Sequence, residues 1–506
     1  MVSRQLVIVE VSQKQAYIFA SNKLQTNIIN SEAIVKVTGS GYFQKVCPAL
    51  YAEEKNLVYT GGGHTVLNFE SADDANAFSK KLSYAVMRDY PDMEIFIRSM
   101  PYDDGKTPGD NLKELTKLLE KKKSIRKSSF HQGSFAIEKI SGENGKPERL
   151  DDAEKVIPGK DDLLPAGYDS VTQFGDLGGS REESNFIAVV HIDGNSMGKR
   201  VEELYEKLNR EGVDWETYKQ KIRAFSDGID SDFKTSYKEM TADVAKGLED
   251  GKLSDLDLKG KCFPVRRIII SGDDVCFVSE GRIGIECSRL LIEHLREKKN
   301  AVDGKGYEAC AGIAIVHQKY PFYRAYDLAE SLCSKAKRFG ASIDPEHNGA
   351  LVSSVDWHIS FGELGDSVDE IRREYVTGDG KQLELRPYII GGDESCISKE
   401  KDRRYDNFRK LYALITDKND GIAHGKIKQL RPVLKQGQTA GENYLRYNRI
   451  ESIMQRSYVD IFEDIDLDRV GKGEAQNGKL FISTTDGKER CILFDAIEIM
   501  DTYLMI

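Results

Sequence analysis

Twice along this chain the residue pattern spells the order strand, helix, hairpin, helix, strand, and that repeat restricts the fold more than any other feature. In the first copy, Leu6 to Val11 is an apolar run of strand length. The aromatic and β-branched stretch Ala16 to Phe19 reads as a further strand or hairpin. Ser21 to Val37 predicts a helix, and Asn56 to Phe69 predicts two strands joined at Gly61, Gly62 and Gly63. Ser71 caps a helix running to about Tyr90, before the strand Met93 to Arg98. In the second copy, Phe186 to Ile192 is nearly all apolar, as in a strand buried on both faces. A long polar helical region from Gly198 to Gly247 follows, then a hairpin from Arg266 to Ser279 turning at Ser271, Gly272, Asp273 and Asp274. A helix from Arg282 to Lys298, a strand from Glu308 to His317 and a helix from Tyr323 to Phe339 complete it.

Laid over one another, Leu6 to Ser12 falls on Ile187 to Asp193, and Gly61 to His64 falls on Ser271 to Asp274. Ser12 then stands where the second copy has Asp193, and Gly63 and His64 stand where it has Asp273 and Asp274. On this alignment the first copy has lost every acidic residue of the second and serves as its structural partner. Two unrelated α/β units with a common element order are the alternative.

Phosphoryl transfer needs cations to neutralise a triphosphate, and magnesium prefers oxygen ligands set octahedrally. Asp193 just past a buried strand, with Asp273 and Asp274 in a hairpin turn, brings three carboxylates to one sheet edge if the strands pair. Such a set can bridge two ions roughly 3.5 to 4 Å apart, with the Ile192 backbone carbonyl as an extra ligand. The expected metal is Mg2+ or Mn2+. Gly194, Asn195, Ser196, Met197 and Gly198 lead into a helix start, where free amides can hold phosphate oxygens. Ser271 and Gly272 leave room beside the acids, and Lys335 or Lys337, with Arg338 as an alternate, can reach a triphosphate. For Lys335 a solvated helix end is the competing reading.

The segments HIDGNSMGKR, SGDDVCF and AGIAIVHQKYPFYRAYDLAESLCSKAKR resemble the second palm domain of the large polymerase-like subunit of type III CRISPR effector complexes, itself related to GGDEF diguanylate cyclases. YIFASNKL, near the amino terminus, resembles that family's first palm. The resemblance implies an α+β fold of two ferredoxin-like palm domains, antiparallel sheets with helices on one face, and a mostly helical carboxy-terminal domain. The expected boundaries are a degenerate palm at 1–105, a linker or insertion at 106–184, a catalytic palm at 185–345 and the helical domain at 346–506. It further implies conversion of ATP into cyclic oligoadenylate or a related cyclic nucleotide, a second messenger of antiviral defence. Asp193, Asp273 and Asp274 would be the catalytic metal ligands, with Ser271 and Gly272 beside the nucleotide. Ser271 replaces the first glycine of the usual GGDD motif. Family members often begin with an HD nuclease, but none of the eight histidines here is followed by Asp, so DNA cleavage is not expected. The family's cysteine zinc site is also missing.

Composition sets the remaining bounds. With 506 residues, roughly three domains are expected. The formal charge of −10 argues against a surface that blankets nucleic acid, while leaving room for local basic grooves. The eight cysteines form no C-x-x-C pair, which fits a reducing cytoplasm. No apolar run approaches the roughly 18 residues of a membrane span, so neither export nor insertion is expected. Gly391, Gly392, Asp393 and Glu394 spell GGDE without a matching acidic strand and read as a turn. Lys121, Lys122, Lys123, Arg126 and Lys127 form a basic cluster that reads as a solvated helix face before it reads as an RNA contact. The leading function is thus a nucleotidyltransferase acting on nucleoside triphosphates. The alternative is a non-catalytic nucleotide-binding scaffold of an RNA-guided complex, with effector subunits, guide or target RNA, or a messenger-activated effector as partners and a homodimer allowed.

Overall fold

The computed structural model describes residues 4–125, 158–178, 185–362, 367–417, 423–453 and 480–506. The chain opens with β1 (Gln5–Val11), α1 (Lys14–Ile18), α2 (Leu24–Val37), α3 (Ser40–Val46) and α4 (Glu53–Asn56). The hairpin β2 (Leu57–Gly61) and β3 (His64–Phe69), α5 (Ala72–Asp89), β4 (Ile95–Pro101) and α6 (Pro108–Ser124) follow. The four strands form one antiparallel sheet in the order β2-β3-β1-β4. Strand alternation sorts its faces. Val7, Val9 and Val11 join Leu24, Ile28, Phe78 and Leu82 of α2 and α5 in one core, while Leu6 and Ile8 join Leu112, Leu115 and Leu119 of α6 in another. Ser71 and Thr107 cap α5 and α6 by accepting from the amides of Asp74 and Asp110.

The segment Ala16 to Phe19 is not a strand. Gln13, at φ 49°, turns the chain into α1. The amides of Tyr17 and Phe19 then donate to the carbonyls of Gln13 and Gln15 at 3.0 and 2.9 Å. Packing outweighs the segment's β-branched and aromatic composition: Phe19 lies 4.1 Å, ring to ring, from Tyr326 in the second half of the chain.

The second sheet begins with β5 (Phe186–Gly194), followed by α7 (Met197–Glu211), α8 (Trp215–Glu249), β6 (Val265–Ser271), β7 (Asp274–Glu280), α9 (Gly284–Arg296), β8 (Ala309–His317) and α10 (Phe322–Ile343). Strands β8-β5-β7-β6 repeat the antiparallel arrangement of the first sheet. The sheet then continues through β9 (Val352–Ser360), parallel to β8, and β10 (Tyr388–Gly392) beyond it, with α11 (Val368–Ile371) between them in sequence. The short alternation Val355, Trp357 and Ile359 marks part of β9, but the intervening Ser353, Ser354, Asp356, His358 and Ser360, which a half-buried strand would turn to solvent, are all buried. Arg372 makes this possible for Asp356, pairing with it at 2.7 Å.

On the second palm α9 packs against Ala188 and Val190, and α10 covers the opposite face with Val189, Ala314 and Val316. Helix α8 also crosses to the first palm, where the Ser226 hydroxyl donates to the Thr60 carbonyl at 2.7 Å. The remaining elements are α12 (Glu394–Ile397), α13 (Tyr405–Thr416), α14 (His424–Leu434), α15 (Gln438–Tyr447), the hairpin β11 (Phe481–Ser483) and β12 (Glu489–Cys491), and α16 (Phe494–Glu498). Residues 454–479 of the expected helical domain lie outside the described residues. Residues 126–157 of the expected insertion, with Arg126 and Lys127, also lie outside them. No helix among the described residues is long and apolar enough to cross a membrane.

Strand register corrects the alignment of the two copies. Asp193 pairs with Asp274, and Glu10, not Ser12, pairs with His64. A slip of two residues along a strand preserves which side chains share a face, so hydrophobic pattern alone cannot detect it. Glu10 is therefore the counterpart of Asp193, and the first palm keeps one acidic residue. Its partner confirms the match: Lys123 holds Glu10 at 2.9 Å, as Lys337 holds Asp193 at 2.6 Å. Lys123 follows Phe96, the β4 partner of Glu10, by 27 residues, and Lys337 follows Cys310, the β8 partner of Asp193, by 27.

Candidate active site

The three predicted acids meet where β5 ends and the β6–β7 hairpin turns. Asp193 lies opposite Asp274 in the ladder, and the Gly194 amide donates to the Asp273 carbonyl at 3.2 Å. Gly272 takes φ +66° at the tip of the turn, a conformation that favours glycine. Its amide faces an Asp230 carboxylate oxygen on α8 at 3.4 Å. Gly194 serves packing: a Cβ there would stand 2.9 Å from the Asp273 Cβ.

Burial and crowding raise the proton affinity of Asp273 and Asp274. Burial, with Asp193 next to it, pushes Asp273 up to about 7. Burial also raises Asp274, against the opposing influence of His191 and Lys14. Lys337 is raised because Asp193 outweighs the effect of its own burial, and its ammonium also donates to the Gly194 carbonyl at 3.0 Å. Burial lowers Lys14, which enters from the first palm and donates to the Gly62 carbonyl.

The arrangement fits divalent metal bound together with phosphate oxygens. Oδ1 of Asp274 is buried without a hydrogen-bond donor, so an acceptor-only oxygen is left uncompensated within the acidic turn. Among the described residues no three His, Cys, Asp or Glu side chains are set to hold an ion unaided. Magnesium commonly takes only one or two carboxylates and completes its shell with water and substrate phosphate.

The other predicted residues divide by position. Met197 and Gly198, at the start of α7, line a cleft of about 1120 Å³ together with Gly272, Asp273, Glu10 and His64. Ser271 and Asp274 line a smaller one of about 340 Å³ on the other side of the turn, with Lys14 and Gln15 of the first palm. Ser196 starts α7 in the left-handed region, at φ 57°, without a side-chain cap, so no side chain occupies the first-turn amides from that position. Asn195 is committed to the protein: its Nδ2 donates to the carbonyls of Gly349 and Val352 at 3.1 and 2.8 Å, and its amide to Glu308 at 2.8 Å. Ile192 is fully buried between Val275 and Ala311. Lys335 turns away from the acids to Asp369, at 3.2 Å.

Sequence reasoning missed His191, whose Nδ1 stands 3.6 Å from Asp274 Oδ1, and it missed Lys14 and Asp230. The only available signal for His191 was its place two residues before Asp193, hence on the same strand face. The basic cluster is partly spent internally. Lys122 donates to the Ile97 carbonyl at 2.7 Å, and Lys123 is held by Glu10. The GGDE tetrapeptide ends β10, and Asp393 caps α12.

Comparison with known proteins bears on this site. Residues 186–342 match the family model described as the Cas10/Cmr2 second palm domain. No curated protein matches the sequence. Among solved structures, a Csm1–Csm4 cassette in complex with cA4 superposes with TM-score 0.53 at 14% identity, over 98% of this chain and 70% of the other. Csm1 in T. onnurineus gives 0.51 at 13%, over 89% and 64%. A Csm1–Csm4 cassette in complex with AMPPNP gives 0.51 at 15%, over 94% and 67%. The chain thus spans about two thirds of the length of these structures, and at such identities the likeness establishes fold.

Proposed function

We propose that this chain, whose residues 186–342 form a palm of the Cas10/Cmr2 kind, is a metal-dependent nucleotidyltransferase that makes cyclic oligoadenylate or a related cyclic nucleotide from ATP in antiviral defence. The observation that carries this reading is the placement of the acidic turn between two clefts. Asp273 faces the larger and Asp274 the smaller. Two nucleotides can therefore flank one set of carboxylates, as joining a 3′ hydroxyl to an α-phosphate requires. Relatives solved with AMPPNP and with cA4 support adenine nucleotides as substrate and product.

Asp193, Asp273 and Asp274 would hold Mg2+ or Mn2+, which when bound neutralises the triphosphate and lowers the pKa of the attacking hydroxyl. Lys337, now paired with Asp193 at 2.6 Å, would be free to hold a phosphate oxygen when that carboxylate serves a metal ion. The uncapped first turn of α7 offers amides to phosphate at the larger cleft. Glu10 and His64 frame the first-palm side of that cleft and orient the second nucleotide. Charge placement and orientation do the chemistry, as expected for phosphoryl transfer. A subunit of the Csm4 kind is the partner this reading implies, by analogy with the cassettes.

One observation favours the scaffold reading. Lys337 already neutralises Asp193, as a lysine in a purely structural ion pair would. Incubation of the purified protein with Mg2+ or Mn2+ and each labelled nucleoside triphosphate, beside the Asp273→Ala, Asp274→Ala double variant, separates the two. A cyclic or linear oligonucleotide made only by the parent, read by mass spectrometry, supports the enzyme. Metal-dependent nucleotide binding by the parent without any turnover, alone or with a Csm4-type subunit and RNA, supports the scaffold.

A further inference from the structure

The first-palm motif YIFASNKL has no part in the chemistry above, yet it lies directly against the helix that carries Lys337. Phe19 packs on Tyr326 and Phe322 of α10, with ring centroids 4.1 and 5.5 Å apart. The start of α10 has no side-chain cap of its own, and Asn22 supplies one from the first palm, its Oδ1 accepting from the Phe322 amide at 2.9 Å. One turn before Phe19, the Gln15 amide nitrogen donates to Glu330 Oε1 at 2.7 Å and to the Tyr326 hydroxyl at 3.1 Å. Glu330, as a carboxylate, only accepts, so the orientation of the Gln15 amide follows from its partner.

From Tyr326 the contacts lead to the acids. The Tyr326 hydroxyl stands 3.4 Å from His191 Nδ1, and the two rings meet edge to face at 5.5 Å. The same Nδ1 faces Asp274 Oδ1 at 3.6 Å. That oxygen is buried without any hydrogen-bond donor, and as part of a carboxylate it only accepts. The Tyr326 oxygen, already accepting from Gln15, accepts equally well from His191. With its proton on Nδ1, His191 donates toward the Tyr326 oxygen and stands against the Asp274 carboxylate as an electrostatic neighbour, just beyond hydrogen-bond distance.

We propose that Gln15, Tyr326 and His191 are positioning residues, through which the first palm holds the Asp274 carboxylate in the orientation that receives metal. The inference rests on the metal-dependent reading of the site. It gives the first palm a task besides framing a cleft: the interface between palms decides how ready the second is to bind its ion. Groups that orient a metal ligand from behind typically change affinity 10- to 100-fold when removed.

Tyr326→Phe removes one hydroxyl and keeps the ring against Phe19, so it folds with little cost. A matched control is Tyr412→Phe, which removes another buried hydroxyl, one that donates to the Tyr503 carbonyl at 2.9 Å. Calorimetric titration with Mn2+ at saturating α,β-methylene ATP, whose bridging carbon blocks transfer at the α-phosphate while its phosphates complete the ion's shell, reads the effect without turnover. The expected result is a Kd weakened about tenfold in Tyr326→Phe and Gln15→Leu and unchanged in Tyr412→Phe. In a His191→Gln background, Tyr326→Phe should add nothing. Where product forms, its rate should recover at saturating Mn2+, because the loss lies in metal affinity and not in kcat. Parent-like Mn2+ affinity in Tyr326→Phe, or equal weakening in the control, overturns the proposal. A parent that binds no Mn2+ overturns it together with the metal reading, whereas a parent that binds Mn2+ and makes no product removes only the reaction.

Discussion

His64 occupies in the first palm the position Asp274 occupies in the second, and the exchange of a carboxylate for an imidazole changes how the protein responds to acid. Burial, reinforced by Lys14 and Lys123, lowers His64 to about 4. An unfolded histidine binds its proton near pH 6.5, so between about 6.5 and 4 the unfolded chain takes up a proton the folded one refuses. Stability should fall as pH drops through that window, by at most about 3 kcal/mol and less because the ring is only half-buried. Urea denaturation at pH 7, 5.5 and 4.5 should show a smaller pH dependence in His64→Asn than in the parent. The lysines of α10 give a second residue-level test. Under the proposed function Lys337→Met should cut turnover about 100-fold, the scale of losing a group that meets developing charge. Lys335→Met, directed at Asp369, should change it less than about threefold. The acids themselves were legible in sequence, because a buried strand that ends in Asp193 and a turn bearing Asp273 and Asp274 have few other ways to pair. Glu10 was not, since Ser12 lies on the same strand face two residues on.

Among the elements, α10 is the one on which the site depends most. It rises from β8, carries Tyr326 and Lys337, and leads to β9. It lies so close to β8 that a Cβ at Gly312 would collide with the Ala329 carbonyl and the Cys333 amide. Backbone on both sides leaves no flexible atom to yield. Gly312→Ala should therefore destabilise the protein by about 3 kcal/mol, seen as a lower denaturant midpoint with an unchanged m-value. If the midpoint is unmoved, the close approach of helix to strand is not as described. The helix was evident from its periodicity, and the strand after it was not. β9 carries only the short alternation Val355, Trp357 and Ile359, and burial of the polar residues between them, Asp356 against Arg372 among them, is not encoded in that local pattern. α1 was misread for a related reason: what Phe19 packs against lies some 300 residues on.

Across the whole molecule, the helical carboxy-terminal part is fastened to the second palm by buried charge as well as by apolar packing. Arg386, fully buried before β10, donates to Asp495 at 3.1 Å and Glu498 at 2.6 Å. Glu286 on α9 accepts from the hydroxyls of Tyr405 and Tyr503 at 2.8 and 2.6 Å, and from the amide of Ile506 at 3.3 Å. Arg386→Met leaves buried carboxylates short of their cation and should cost about 3 to 5 kcal/mol. Calorimetry should show the palm and carboxy-terminal part melting together in the parent, and a separate early transition would contradict that coupling. The two lysine–acid pairs, Lys123 with Glu10 and Lys337 with Asp193, have a further use. They stand at matching places in two copies of one frame, only one of which bears the acidic turn. The chain thus contains its own internal reference: a change in salt, temperature or partner that perturbs both pairs alike acts on the scaffold, and one felt by Lys337 alone acts on the chemistry.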